Sequence, residues 1–262
     1  MIKVCYCADD YAMNHAITHA IIQLMAANRI QATSCMTDSP LWYEHAQYLS
    51  EFKSRYDIGL HLNLTHPFDI NGNHLSLDTL ILKAWTRSLN KNIVQNAIQS
   101  QWQAFIDALG FPPAFIDGHQ HIHQFPIVRK LLLEFLEKQK FQGWIRNLAQ
   151  PIFNYRYFLK TKILVSLGAN TLNRHSALKK VKQNQYFAGI YDFEFNDYAK
   201  LNQFWLQHAK NNLLIMCHPA ILSEEPDPIK EARLNEFTYL SSKQFLIDCK
   251  QYNINLCPIG AM

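Results

Sequence analysis

The chain has 262 residues, 48% of them hydrophobic, and a formal net charge of +4. That length buries a sizeable core and excludes a disordered polymer; the charge offers no basic field for nucleic acid, since the one tight basic cluster, Lys179, Lys180 and Lys182, reads as a solvated surface face. The opening "MIKVCYCADD" meets acid at once, and no apolar run is long enough to span a membrane, so the expected setting is cytoplasmic, with no membrane partner.

"IKVCYCA" reads as a first strand, with Cys5 and Cys7 pointing the same way. None of the six cysteines makes a CxxC, and buried free thiols in a reducing compartment are expected. Ile17, Ile21, Leu24 and Met25 recur at helical spacing behind Asn14, a natural N-cap. "IQATSCM" is a second strand, residues 41–54 a helix, "YDIGLHLNLT" a third strand and residues 91–109 a helix. "PAFIDGHQH" is a fourth strand, followed by the helix "IVRKLLLEFLEKQ". "GWIRN", "YFAGIYDF", "NLLIMCHPA" and "INLCPIG" are later strands, separated by helices near 152–167, 197–210 and 241–252. Residues 66–80, 168–185 and 219–236 read as long loops.

This alternation predicts a parallel α/β architecture, organised as one domain over 1–262. An irregular or incomplete TIM-like (β/α) barrel of seven or eight mainly parallel strands fits best, because the last strand has no helix after it. A doubly wound open sheet is the alternative.

Polar residues gather at the C-terminal ends of four of these strands, where barrel enzymes build their sites. The first ends in Asp9-Asp10; the third carries His61, Asn63 and Thr65 on one face; the fourth runs into Asp117, His119, His121 and His123; a later one ends in His218-Pro219. Singly, each has a bland reading: a core histidine, a helix N-terminus carrying acid, a strand cap, a surface stripe. Together they suit a divalent metal site with about three protein ligands and an open position. Asp10, His61 and one histidine of the run supply that set. On an extended strand His119 and His123 stand roughly 13 Å apart, too far to share an ion. His119, nearest the strand core, is the expected ligand, with His121 and His123 second to it or facing substrate; a turn that brings His123 back is the alternative.

"ADDYAMN", "GLHLNLT" at 59–65, "DGHQHIHQFP" at 117–126 and "CHPA" at 217–220 resemble, in order and spacing, the YdjC-like carbohydrate deacetylase family. "EARLNEFTYLSS" at 231–242 is similar to its C-terminal Arg-x-x-Glu segment. The resemblance implies a TIM-like barrel, one divalent metal ion (Mg2+ or Zn2+) held by Asp10, His61 and His119, Asp9 as general base, and His218 as the acid-side partner. It also implies hydrolysis of the N-acetyl group of an amino sugar or short chitooligosaccharide, releasing acetate. Arg146, at the end of the "GWIRN" strand, is a candidate to orient Asp9 or bind a sugar hydroxyl, with a rim salt bridge as the alternative. A homodimer is expected only by analogy. Alternatives are a different single-metal hydrolase on the same barrel and a non-catalytic sugar-binding protein.

The chain departs from the family's usual pattern in three places. Tyr11-Ala12 replaces Phe-Gly, which removes glycine's conformational freedom after the carboxylates. Gly118 and Gln120 interrupt Asp-Ser-His-His-His, and Pro219-Ala220 replaces Pro-Gly. Among the aromatics, Trp42, Tyr43, Trp85 and Trp144 are candidates for packing on a sugar face.

Overall fold

The computed structural model describes residues 1–68, 74–175 and 181–262. β1 (Ile2–Tyr11) leads through Asn14, whose side chain accepts the Ile17 N–H at 2.9 Å, into α1 (His15–Ala26). Then come β2 (Ala32–Cys35), α2 (Trp42–Ala46), β3 (Asp57–Leu62), α3 (Leu77–Trp85) and α4 (Lys91–Leu109). Asn90 caps the start of α4, and Gly110, at φ 76°, ends it in the left-handed conformation that glycine tolerates. β4 (Phe115–Gly118), α5 (Val128–Lys138), β5 (Trp144–Ile145), α6 (Phe158–Leu164), α7 (Asn170–Asn173) and β6 (Lys182–Gln183) follow. The chain closes with β7 (Tyr186–Ala188), α8 (Tyr198–Gln207), β8 (Leu213–Cys217), α9 (Lys230–Ser241), α10 (Lys243–Gln251) and β9 (Ile254–Leu256).

The described strands pair only in parallel, in the order β6-β5-β4-β3-β2-β1-β8-β7. β9 pairs with the start of β1, where Val4 is flanked by Leu213 on one edge and Leu256 on the other. β6 and β7 stand at opposite ends of this path, yet only Asn184 and Gln185 separate them in the chain. Three residue steps reach about 10 Å at most. The sheet therefore curls back on itself, as an incomplete TIM-like barrel does, and a doubly wound open sheet is excluded. Asn184 spans the seam: its Oδ1 accepts the Asn147 N–H at 2.7 Å, and its Nδ2 donates to the Asn147 and Tyr186 carbonyls at 2.7 and 3.0 Å.

Alternate residues of each strand point inward and outward. Val4, Tyr6, Ile58, Leu60, Ile116, Ile145 and Ile215 join the larger core beneath the helices. Cys5, Cys7, Ala32, Phe115, Trp144, Phe187, Leu214 and Met216 form a second cluster inside the barrel. Gly59 leaves room for the Phe115 ring there; a Cβ at 59 would stand 2.4 Å from it. Cys5, Cys7, Cys35, Cys217 and Cys249 are buried and none of the six is disulfide-bonded.

Several elements differ from the sequence expectation. The helix expected over 41–54 stops at Ala46 and tightens into a 3₁₀ turn over Gln47–Leu49. Residues 77–80 begin α3, 170–173 form α7 and 230–236 begin α9, so the three expected long loops are shorter than their limits. The fourth strand ends at Gly118, because Gln120 and His121 turn left-handed at φ 52° and 60° and residues 119–124 wind into a 3₁₀ turn. Of the expected basic cluster, Lys179 and Lys180 lie outside the described residues, and Lys182 donates to the Gly260 carbonyl at 3.1 Å. Among the described residues no helix is long and apolar enough to cross a membrane.

Candidate functional site

The inward column of each central strand is apolar at the bottom and polar at the top. Above the Cys7–Phe115–Trp144 floor stand Asp9, Ser34, His61, Asp117, Arg146 and His218, each two residues beyond an inward apolar residue or its neighbour in register. Arg146 is fully buried among them. Its Nη1 donates to Asp9 Oδ2 at 2.6 Å, and its Nη2 meets Asp9 Oδ1 at 2.5 Å and Asp117 Oδ2 at 2.6 Å. This planar fork between two carboxylates is the geometry guanidinium suits best. Of the three expected roles for Arg146, the geometry is that of a group orienting Asp9.

Asp10 needs a different direction from Asp9. The β1–β2 register shifts between Ala8 and Tyr11, and Asp10 takes φ 68°, so the bulge turns its side chain towards the cavity. Ala12 also takes φ 68°. The turn that glycine serves in the family is thus kept by alanine, held by its N–H to Thr18 Oγ1 (3.1 Å) and its carbonyl to Ser39 Oγ (2.6 Å). Ala220 is not among the residues with positive φ, so the other lost glycine asks nothing of the backbone. At Gly118 a Cβ would come within 3.0 Å of His123 N and the Ile122 side chain, so the turn packs where a serine side chain would sit.

His61 Nε2 lies 3.4 Å and His119 Nδ1 3.0 Å from Asp10 Oδ1. One donor atom from each of these three residues falls within 4.8 Å of the others. His61 Nδ1 is held by Asp117 Oδ1 at 2.6 Å, and Ser34 Oγ donates to the same oxygen, which leaves Nε2 for the cavity. Arg233 Nη2 holds Asp10 Oδ2 at 2.7 Å, and its Nε meets Asp227 Oδ2 at 2.6 Å. Burial would raise the Asp10 carboxyl, but Arg233 and His119 outweigh it and hold it well below the usual range. Burial opposes charge on His61; Asp117 and Asp10 overcome it and raise the ring to about 10. Asp9, Asp10, Asp117 and Asp227 against Arg146 and Arg233 leave two excess negative charges (4 − 2 = 2), which hold the proton on His61 in the metal-free chain; a divalent cation would take that proton's place, so donor type and charge both fit one.

His218 Nε2 faces Asp9 Oδ2 at 3.9 Å. Its backbone N–H donates to Glu236 Oε2, whose other oxygen takes the Tyr191 hydroxyl at 2.5 Å. Burial pushes His218 down to about 4, against the pull of Asp10 and Asp9. His121 lines the cavity and packs edge-on to Phe187 at 5.9 Å; His123 is fully buried and its Nε2 meets the Arg146 carbonyl at 3.1 Å, bracing Arg146. Asn63 and Thr65, grouped with His61 in sequence, lie beyond β3, where Asn63 ties the loop to Asp38 at 2.8 Å.

These groups floor a cavity of about 550 Å³. Its walls hold Tyr191, Phe193, His66 and Lys160, which gave no signal in the sequence because they lie on irregular or short segments. None of the four suggested aromatics lines it: Trp42 and Trp144 are core, and Tyr43 and Trp85 are exposed elsewhere. Arg233 and Glu236 lay within a recognisable segment, but only the fold assigns them partners.

Burial raises the Glu236 carboxyl to about 7, although the Tyr191 and His218 bonds pull it down. The folded chain then takes up this proton between about pH 7 and 4.5 while the unfolded chain does not, so Glu236 contributes stability at low pH that is lost as pH rises through 7. We expect Glu236→Gln to lose about 2 kcal/mol more than the parent between pH 7 and pH 5. Urea midpoints at the two pH values measure it; equal losses contradict the assignment.

The sequence matches the family described as YdjC-like protein over residues 3–251. A chitooligosaccharide deacetylase of Yersinia enterocolitica is 22% identical over 227 residues, covering 83% of this chain and 81% of that protein. One from Yersinia pestis (strain Pestoides F) is 22% identical over 228 residues with the same coverage. The fold is shared with a crystal structure of a candidate cellobiose-phosphate cleavage protein from Enterococcus faecalis V583, at TM-score 0.71 and 20% identity, over 99% of this chain and 98% of that one. With a match spanning nearly all of its length, the chain belongs to the YdjC-like family.

Proposed function

We propose that the chain is a metal-dependent carbohydrate deacetylase that hydrolyses the N-acetyl group of an amino sugar or short chitooligosaccharide, releasing acetate and a free amine. The observation that carries it is the meeting of the Asp10, His61 and His119 donors with an arginine-held Asp9 and with His218 on one cavity floor. The names of the Yersinia relatives support the substrate class. A cavity of about 550 Å³ suits a small oligosaccharide, and Phe193, half-buried on its wall against the buried Tyr191, offers a face for its apolar side.

Asp10, His61 and His119 would hold the ion; two imidazoles and one carboxylate favour zinc over magnesium. When bound, it supplies Lewis acidity for the acetamide carbonyl and makes water a better nucleophile. Asp9, fixed by Arg146, accepts the proton of the water whose oxygen attacks the carbonyl carbon. His218 rests neutral, so it brings no proton of its own. Its Nε2 lies 3.9 Å from Asp9 Oδ2, longer than a direct hydrogen bond, so the proton Asp9 has taken reaches it through one water. His218 passes that proton to the nitrogen as the C–N bond breaks. Glu236 and Arg233 keep His218 and Asp10 in position. Ser34 and Asp117 do the same for His61.

Elemental analysis of purified variants tests the ligand set. His61→Ala and His119→Ala should each carry one metal equivalent less than the parent, and His121→Ala the same as the parent. Loss on His123→Ala with retention on His119→Ala would reverse the choice within the run.

A further inference from the structure

Apart from the cavity, three imidazoles gather where α1 meets α2. His15 and His19 stand one turn apart on α1, both exposed, and His45 on α2 is 1% exposed. His45 Nε2 lies 3.0 Å from His15 Nδ1, and their ring centroids are 4.9 Å apart. The His19 ring is 6.4 Å from that of His15 and 6.1 Å from that of His45. Glu44 adds a carboxylate: one donor atom each from His15, Glu44 and His45 falls within 4.8 Å of the others. None of these residues lines the cavity.

A tetrahedral zinc ion with bonds of about 2.0–2.1 Å to nitrogen separates two ligand nitrogens by about 3.3 Å. The His15–His45 pair is already close to that spacing. A hydrogen bond between these two rings would account for them alone, and gives no reason for Glu44 and His19 to converge on the same place. His45 is fixed by burial and His15 is held against it, while the exposed Glu44 and His19 side chains have room to reorient. Two nitrogen donors with one carboxylate select zinc or a neighbouring late first-row cation over the oxygen-seeking Mg2+ and Ca2+.

We propose that His15, Glu44 and His45 form a second metal site, taking zinc, with His19 rotating in as a fourth donor. The ion joins the first turn of α1 to α2. Tyr11, next to Asp10, donates its hydroxyl to the His45 carbonyl at 2.8 Å, and Asn14, next to His15, lines the cavity. Zinc at this site therefore steadies the turn that follows the two carboxylates and takes no part in the chemistry. The site stands whether or not the catalytic reading holds.

The test uses the full chain free of any histidine tag, in a His61→Ala/His119→Ala background that removes donors at the cavity floor. Zinc is titrated at pH 7.5 by calorimetry, with elemental analysis after dialysis. The expected result is one equivalent of zinc, with affinity reduced about 10-fold or more by His15→Ala and by Glu44→Gln. Both side chains are exposed, and circular dichroism checks that each variant remains folded. Absence of zinc binding in this background, or binding undiminished by both substitutions, overturns the proposal. Metal at the cavity floor is read separately, from the difference between the parent chain and this background.

Discussion

Asp9→Asn should lower turnover of an N-acetylated amino sugar by about 10²–10⁴-fold while leaving bound metal at the parent level. Asp9 and Asp10 are adjacent but differently placed: Asp9 continues the inward column of β1, whereas Asp10 is turned by the bulge and its φ of 68° towards His61 and His119. Asparagine keeps the size of Asp9 and one acceptor for Arg146, but takes no proton near neutral pH. Arg146 retains Asp117 at 2.6 Å, so the fold survives. A deacetylation assay beside a metal titration of Asp9→Asn and Asp10→Asn reads the two roles. If Asp9→Asn loses the ion and Asp10→Asn keeps it, the assignments are reversed. Parent-like turnover of Asp9→Asn would mean that another group is the base.

Arg146→Met should destabilise the fold by about 3–5 kcal/mol. The guanidinium is fully buried and is the partner of two carboxylates that are themselves 2% and 0% exposed, Asp9 and Asp117. Methionine fills much of its volume, so the loss reports charge left unpaired rather than a cavity. Combining it with Asp9→Asn should cost less than the sum of the two, since one of the stranded charges is then gone. Urea unfolding of the single and double variants measures this. Strict additivity would contradict a shared ion pair, and a loss below about 1 kcal/mol would place Arg146 with weak surface pairs.

The barrel and most of the site were legible in the sequence for one physical reason. Inside a parallel barrel the inward column should be apolar, so Asp9, His61 and His218 at strand ends stand out against Cys7, Gly59 and Met216 beneath them. The same logic drew the fourth strand too far into the histidine run, although His119 does stand beside Asp10 and His61. Alternating His119, His121 and His123 imitates a strand face, but the chain leaves the sheet at Gly118, and two left-handed residues redirect the three rings to the cavity floor, the cavity wall and the underside of Arg146. α9 was hidden because its buried face carries Arg233 and Glu236, where an apolar stripe would have announced a helix. Polarity there serves Asp10 and His218 rather than the core. α3 was hidden because only Leu80 and Ala84 of its nine residues are buried, too few to set a period, although Ser76 caps it by accepting the Thr79 N–H.

The most direct measurement is acetate release from N-acetylated chitobiose by the chain after chelation and again after reloading with one metal at a time. Turnover should vanish on chelation, with the circular dichroism spectrum preserved, because the donors sit above a barrel core that is complete without them. It should return with zinc in the parent chain, less with magnesium, and stay absent in His119→Ala. Undiminished acetate release from the metal-free chain, or none from the reloaded parent, would contradict a metal-dependent carbohydrate deacetylase.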